Sequence, residues 1–159
     1  MLVLWPKIER SPQDCCSRRI TASIRRSILQ SKPIRDRMRE IPIFKSLGFS
    51  GERMGAGTFE CTVARNREYD GIFDSFHGGL LMTAADSAAA IVALTLWGAG
   101  ARITTTDMSI RFLAPARSDV TLFAQAIKAG RTLVPVVANI WRDDGTLAAI
   151  AQVTYMRLT

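Results

Sequence analysis

The chain has 159 residues, 48% of them apolar and 22% charged, which suits a single domain around one core and argues against two independent domains. Its formal net charge of +7 invites a nucleic-acid reading, but the excess is local: residues 1–40 hold ten Lys or Arg against four Asp or Glu, and the remaining 119 hold eleven against ten. That basic arm carries no aromatic after Trp5 on which a base could stack, and no helix-turn-helix, zinc-finger or RNP pattern occurs, so nucleic-acid binding is set aside.

The opening apolar run, residues 1–6, is too short for a signal peptide and leads into Lys7, Glu9 and Arg10 instead of a small-residue cleavage site, so a cytoplasmic protein is expected. Cys15, Cys16 and Cys61 are odd in number with two adjacent, a set that provides neither a disulfide framework nor metal-ligand spacing. Ile20, Ile24 and Ile28 recur every four residues among arginines, as in a basic amphipathic helix. Packing on the domain, membrane-surface contact and a targeting leader are all open to it. Pro33 and Pro42 mark a break between an arm, 1–40, and a body, 41–159, and removal of residues 1–35 is expected to leave a folded, active protein.

Residues 48–66 read as a strand pair or a bent strand, with Gly51, Gly55 and Gly57 supplying a turn or bulge. After a loop, the run from His77 to Gly100 is apolar on nearly every side and stops at Gly98 and Gly100, which predicts one helix of about 20 residues. Its length suits a membrane span, but Asp86 near its middle, with Thr83, Ser87 and many alanines, favours a helix buried by protein. The period then becomes two: Thr104, Thr106, Met108, Ile110 and Phe112 face one way and Ile103, Thr105, Asp107, Ser109 and Arg111 the other. Further strands are predicted at 119–129, 131–142 and 146–157, linked by Ala129-Gly130 and Asp143-Asp144-Gly145, with Pro135 placing its strand at an edge or a bulge. A long buried helix followed by an antiparallel meander is an α+β layer whose sheet curls round the helix, a hotdog-like arrangement.

The one histidine, His77, precedes Gly78-Gly79 at the start of the long helix. Unpaired N–H groups and the positive dipole end make such a turn able to hold an oxyanion, and a plain tight turn is the equal alternative. Asp86 lies in Leu-Leu-Met-Thr-Ala-Ala-Asp-Ser-Ala-Ala-Ala with no cation near it in sequence. Burying it unpaired would cost several kcal/mol, so it is either hydrogen-bonded to a neighbouring segment or a general base or nucleophile with a tuned pKa. Asp107 and Asp119 fit a polar strand face and a turn. No serine elbow, Cys-His pair or phosphate-cradling lysine loop occurs, and one histidine argues against a zinc site, so no metal is expected.

His77 to Ala90, then Thr104-Thr105-Thr106-Asp107-Met108-Ser109-Ile110-Arg111-Phe112-Leu113-Ala114-Pro115-Ala116, the Lys128-Ala129-Gly130-Arg131-Thr132 turn and residues 143–155 together resemble the PaaI-type branch of the hotdog-fold acyl-CoA thioesterases, over roughly residues 47–158. The resemblance implies Asp86 as the catalytic acid, activating water or attacking the thioester carbonyl, and the Gly78 N–H as donor to that carbonyl. It implies His77 shaping the turn and binding near the thioester, Gly79 contacting the substrate, and Thr105 positioning water. That family commonly carries an asparagine several residues before His-Gly-Gly, where Tyr69-Asp70-Gly71 stands here. The substrate implied is an acyl-CoA, with Arg117 and Arg131 as loop-end candidates for its phosphates and solvated surface arginines as the alternative. Coenzyme A is then part of the substrate and no separate cofactor is expected. The implied assembly is a homodimer or a dimer of dimers. The rival readings are a non-catalytic acyl-CoA binding protein on the same fold and an enoyl-CoA hydratase. The second normally pairs its aspartate with a histidine a few residues away, and none follows Asp86.

Overall fold

The computed structural model describes residues 31–159. Residues 31–40 are helical (α1), followed by the short α2, Pro42–Ser46. Then come β1 (Phe49–Gly55), β2 (Thr58–Val63), a 3-10 turn at Arg67–Tyr69, the long α3 (Gly78–Trp97), and β3 (Ile103–Phe112), β4 (Val120–Ala126), β5 (Leu133–Arg142) and β6 (Leu147–Arg157). The strands form one antiparallel sheet in the order β1-β2-β4-β5-β6-β3. The expected α+β hotdog architecture is what is found: a curved sheet around one long helix.

The helix that by length and composition could cross a membrane is instead the centre of the core. Leu81, Ala84, Ala85, Ala88, Ala89, Ile91 and Val92 are buried against Phe59, Cys61 and Val63 of β2, Leu122 and Ala124 of β4, and the inward residues of β5 and β6. Alanine at four of these helical positions brings the helix close to the sheet and is also the strongest helix former. Gly98, at a φ of 97°, ends the helix, its N–H donating to the Leu94 carbonyl at 2.8 Å.

The turn chemistry works as read. Gly51, at a φ of 65°, sits where the β1–β2 register shifts between Ser50 and Arg53, and Gly57, at 78°, closes the hairpin. Two expectations change. Pro135 lies in the central strand β5, paired with Thr154 of β6, and not at an edge or a bulge. The β4 ladder stops at the Ala126–Val136 pair, and the Pro135 carbonyl accepts from the Ile127 N–H at 2.8 Å, so its missing N–H falls just beyond the end of β4. The strict alternation along β3 is broken by a bulge at Thr106, since Thr105 pairs with Tyr155 while Asp107 pairs with Thr154. Thr105 therefore shares its face with Met108 and Ile110 instead of opposing them.

The body also begins earlier than the charge boundary at residue 40. Ile34 and Met38, one helical turn apart in α1, are 1% and 4% exposed and belong to the core. Arg35 donates to the Glu52 carbonyl at 2.9 Å, and Arg37 donates to the Ala99 and Ala101 carbonyls just past the end of α3. The amphipathic helix expected around Ile20, Ile24 and Ile28 lies outside the described residues. Because Ile34 is fully buried, Ile34→Ala is expected to lower unfolding stability by about 2–5 kcal/mol in chemical denaturation. Removal of residues 1–35 should destabilise at least as much, and a truncated protein as stable as the full chain would return this helix to the arm.

Candidate active site

His77 is the N-cap of α3, its Nδ1 accepting from the Gly79 N–H at 3.0 Å. An accepting Nδ1 requires the imidazole proton on Nε2, which leaves an exposed N–H donor beside the turn. The Gly79 N–H, a sequence candidate for ligand binding, is thus spent on the cap. The Gly78 N–H takes no partner among the described residues. A Cβ on Gly78 would stand 3.0 Å from the Phe112 ring, so this backbone is approached closely on one side. A depression of 320 Å³ opens beside it, lined by Ser75, Phe76, Gly78, Leu81 and residues 112–116. Asp86 does not border that depression.

Asp86 lies eight residues further along α3 and is half-buried. Its Oδ1 accepts from the Thr105 hydroxyl at 2.8 Å and from the Tyr155 hydroxyl at 2.9 Å, while Oδ2 receives no hydrogen bond from a described residue. Both donors come from directly paired positions of β3 and β6, and the bulge at Thr106 keeps Thr105 on this face. Tyr155 was not foreseen from the sequence. Its signal was there in outline: a tyrosine continuing the inward row of Ala149, Ala151 and Val153 brings a hydroxyl into an apolar layer, where it has to find a partner.

Burial pushes the Tyr155 phenol well above the ordinary tyrosine range; the Thr105 hydroxyl opposes that, and the Asp86 charge and hydrogen bond add to it. Burial likewise raises the Cys61 thiol to about 12, with Glu52 and Glu60 reinforcing it, which leaves that cysteine protonated and inert.

The loop before His77 is held by Arg65. Its guanidinium binds the Asp70 carboxylate, donates to the Asp74 carbonyl at 2.7 Å and reaches the Arg117 carbonyl, while its own N–H donates to Asp119 at 2.8 Å. Arg65 holds the Asp70 carboxyl below the usual carboxylate range. Asp70, near the place of the family's asparagine, is therefore engaged as an ion-pair partner. Asp119 accepts a backbone N–H, as its turn role implied; Asp107 follows the bulge on an exposed strand face.

The two arginine candidates are far apart. Arg117 lines a hollow of 530 Å³ with Arg65, Arg67, Asp70 and Asp74, near the start of α3, where Phe76 N–H donates to the Ala116 carbonyl. Arg131 is exposed in the β4–β5 turn, next to Gly130, whose carbonyl takes the Trp97 indole N–H at the far end of the helix. A 20-residue helix spans about 30 Å. No group of three or more His, Cys, Asp or Glu among the described residues could hold a metal ion.

A profile of the thioesterase superfamily matches residues 73–149, from the loop before His77 to the start of β6. The chain has a hotdog fold, and its central segment carries the thioesterase-superfamily pattern. It is similar to a thioesterase family protein from Silicibacter pomeroyi, 27% identical, with a TM-score of 0.75 over 81% of this chain and 98% of that one. The PaaI protein of E. coli, from the phenylacetic acid degradation operon, superposes with a TM-score of 0.76 at 20% identity, over 84% of this chain and 96% of its own. A phenylacetic acid degradation-related protein from Ralstonia eutropha JMP134 gives 0.69 at 24%, over 77% and 98%. These last two are likenesses of fold. No curated protein sequence matches significantly. The resemblance carried by His77-Gly78-Gly79, Asp86 and the later strands is thus supported by the profile match and by the fold, and that match supports thioester hydrolysis in general.

The raised Tyr155 and Cys61 groups set the alkaline behaviour. Each is protonated in the folded state above the pH at which it ionises unfolded, so their stabilisation is complete below the ordinary values, 9.0 for the thiol and 10.0 for the phenol, and is lost above them. Denaturation midpoints should accordingly fall from pH 9 upward. In Tyr155→Phe, which keeps only the thiol part, the fall should be shallower; equal slopes would mean that the phenol is not buried as described.

Proposed function

We propose that the protein hydrolyses an acyl-CoA thioester to free acid and coenzyme A, with Asp86 as its catalytic carboxylate. The observation that carries this reading is Asp86 itself. Among the described residues, one of its oxygens is fixed by two hydroxyls and the other receives no hydrogen bond, on a helix whose first residue offers an uncommitted N–H. The Gly78 N–H polarises the carbonyl, and the His77 Nε2–H stands beside it to steady the thioester. Asp86 takes a proton from water as its oxygen attacks that carbonyl, or attacks directly and is later freed by water; Thr105 holds the carboxylate. Collapse breaks the C–S bond, and the departing thiolate recovers a proton as free CoA.

One chain does not complete this site. Gly78 and Asp86 are eight residues apart on one helix, about 12 Å along its axis, too far to touch the same carbonyl. A stripe of α3 through Gly79, Met82, Thr83, Asp86 and Ala90 is only partly covered by the sheet, and β3 beside it is an edge strand, with Phe112 at its end and Leu113 just beyond it exposed. A two-fold dimer that brings the Gly78 turn of one chain to Asp86 of the other makes two equal sites. Arg117, on the side of the Gly78 turn, is then the nearer phosphate ligand, and Arg131 reaches the same nucleotide only from another chain.

Thiol release from a panel of acyl-CoAs tests the activity. Asp86→Asn should lower turnover at least about 100-fold with folding kept, and activity within threefold of wild type would remove Asp86 from the chemistry. Gly78→Pro should also be inactive, since proline is tolerated in the first helical turn but has no N–H. Refolded together in equal amounts, the two dead variants form about half mixed dimers, each with one intact site, and recover roughly a quarter of wild-type activity. A mixture as inactive as its parents, with mixed dimers present, would assign both groups to one chain. The engagement of Asp70 by Arg65 favours the second reading, binding of acyl-CoA without turnover, and binding with no thiol release on any acyl-CoA would establish it.

A further inference from the structure

Tyr155 touches the carboxylate that the hydrolytic reading depends on, from a position beyond the matched segment. It is 5% exposed, directly opposite Thr105 in the β3–β6 ladder, with its hydroxyl 2.9 Å from Asp86 Oδ1 and 3.2 Å from the Asp86 backbone carbonyl. A phenol has one proton to give, and the nearer, charged oxygen is the stronger acceptor. Thr105 gives its own proton to the same Oδ1 at 2.8 Å.

A carboxylate's terminal torsion is broad and two-fold, so a single donor leaves its plane and the choice of oxygen free to change. Two donors from adjacent strands converging on Oδ1 remove that freedom. We infer that Tyr155 is a positioning residue for Asp86, which together with Thr105 locks Oδ1 and presents Oδ2 to the reacting water or carbonyl. This rests on the hydrolytic reading and adds to it a residue that acts through Asp86 without touching substrate. Misplacement of a base by about 1 Å can cost about 100-fold in rate, so a partial loss of the lock should be visible in turnover and not in binding.

The test compares Tyr155→Phe, which keeps the buried ring, with wild type and with Asp86→Asn, alone and combined, in steady-state thiol release and thermal melting. Tyr155→Phe is expected to lower kcat about tenfold with KM within twofold and the melting transition retained, and to have no further effect in the Asp86→Asn background. If Tyr155→Phe keeps wild-type kcat while Asp86→Asn is dead, the positioning role is overturned and the hydrolytic reading stands. A tenfold loss repeated in the Asp86→Asn background also overturns it, because Tyr155 would then act independently of Asp86. If Asp86→Asn itself is active, Asp86 is not the catalytic carboxylate and this inference falls with that assignment, while absence of thiol release from the wild type on every acyl-CoA would sink the hydrolytic reading itself. Should the phenylalanine variant not fold, 3-fluorotyrosine at position 155 carries the question. It keeps ring and donor but makes the O–H more acidic, so kcat should change at least twofold with melting unchanged, and an unchanged kcat overturns the inference.

Discussion

A carboxylate set halfway along an apolar core helix has to be hydrogen-bonded or exposed, and Asp86 meets both demands at once. The sheet that encloses α3 covers most of its circumference, and at the one stripe left open it supplies two hydroxyls from paired strands. Three features follow from that requirement. β3 has to run beside β6 at the sheet edge, it has to bulge at Thr106, and β6 has to place a tyrosine where its inward row otherwise carries alanine and valine. The carboxylate and the strand irregularity are one structural problem solved together.

The other end of the site is organised by backbone. His77 consumes one of the free N–H groups at the start of α3 and in doing so leaves that of Gly78 as the available donor. The loop leading into this turn is tied by Arg65 to Asp70, Asp74 and the 117–119 segment, so the turn is anchored to the β3–β4 connection instead of hanging from the helix. At the opposite end Arg37 ties α1 to the carbonyls just past α3. Arginine suits both places, because its planar fork satisfies several carbonyl or carboxylate oxygens in one plane.

Asp70, tied to Arg65, bears on how the loop is held more than on what the helix carries. A neutral amide is able to face a ligand in either sense, donor or acceptor; a carboxylate beside a guanidinium is bound to it first. The two candidate groups on the helix remain the Gly78 N–H at its start and the Asp86 carboxylate near its middle.

What the amino-acid order determined alone was whatever depends on near neighbours. The length of α3 and its glycine stop, the hairpin turns at Gly57 and Gly145, and the oddity of Asp86 in an apolar run all follow from backbone preference and solvation within a few residues. Tertiary structure alone decided the pairing of Thr105 with Tyr155, the bulge that turns Thr105 toward Asp86, the place of Pro135 in a central strand beyond the end of β4, and the burial of Ile34 and Met38 in a segment that charge counting assigned to the arm. Those depend on which strand lies beside which and in what register, and a local period of two or four carries no information about the partner or about a single inserted residue.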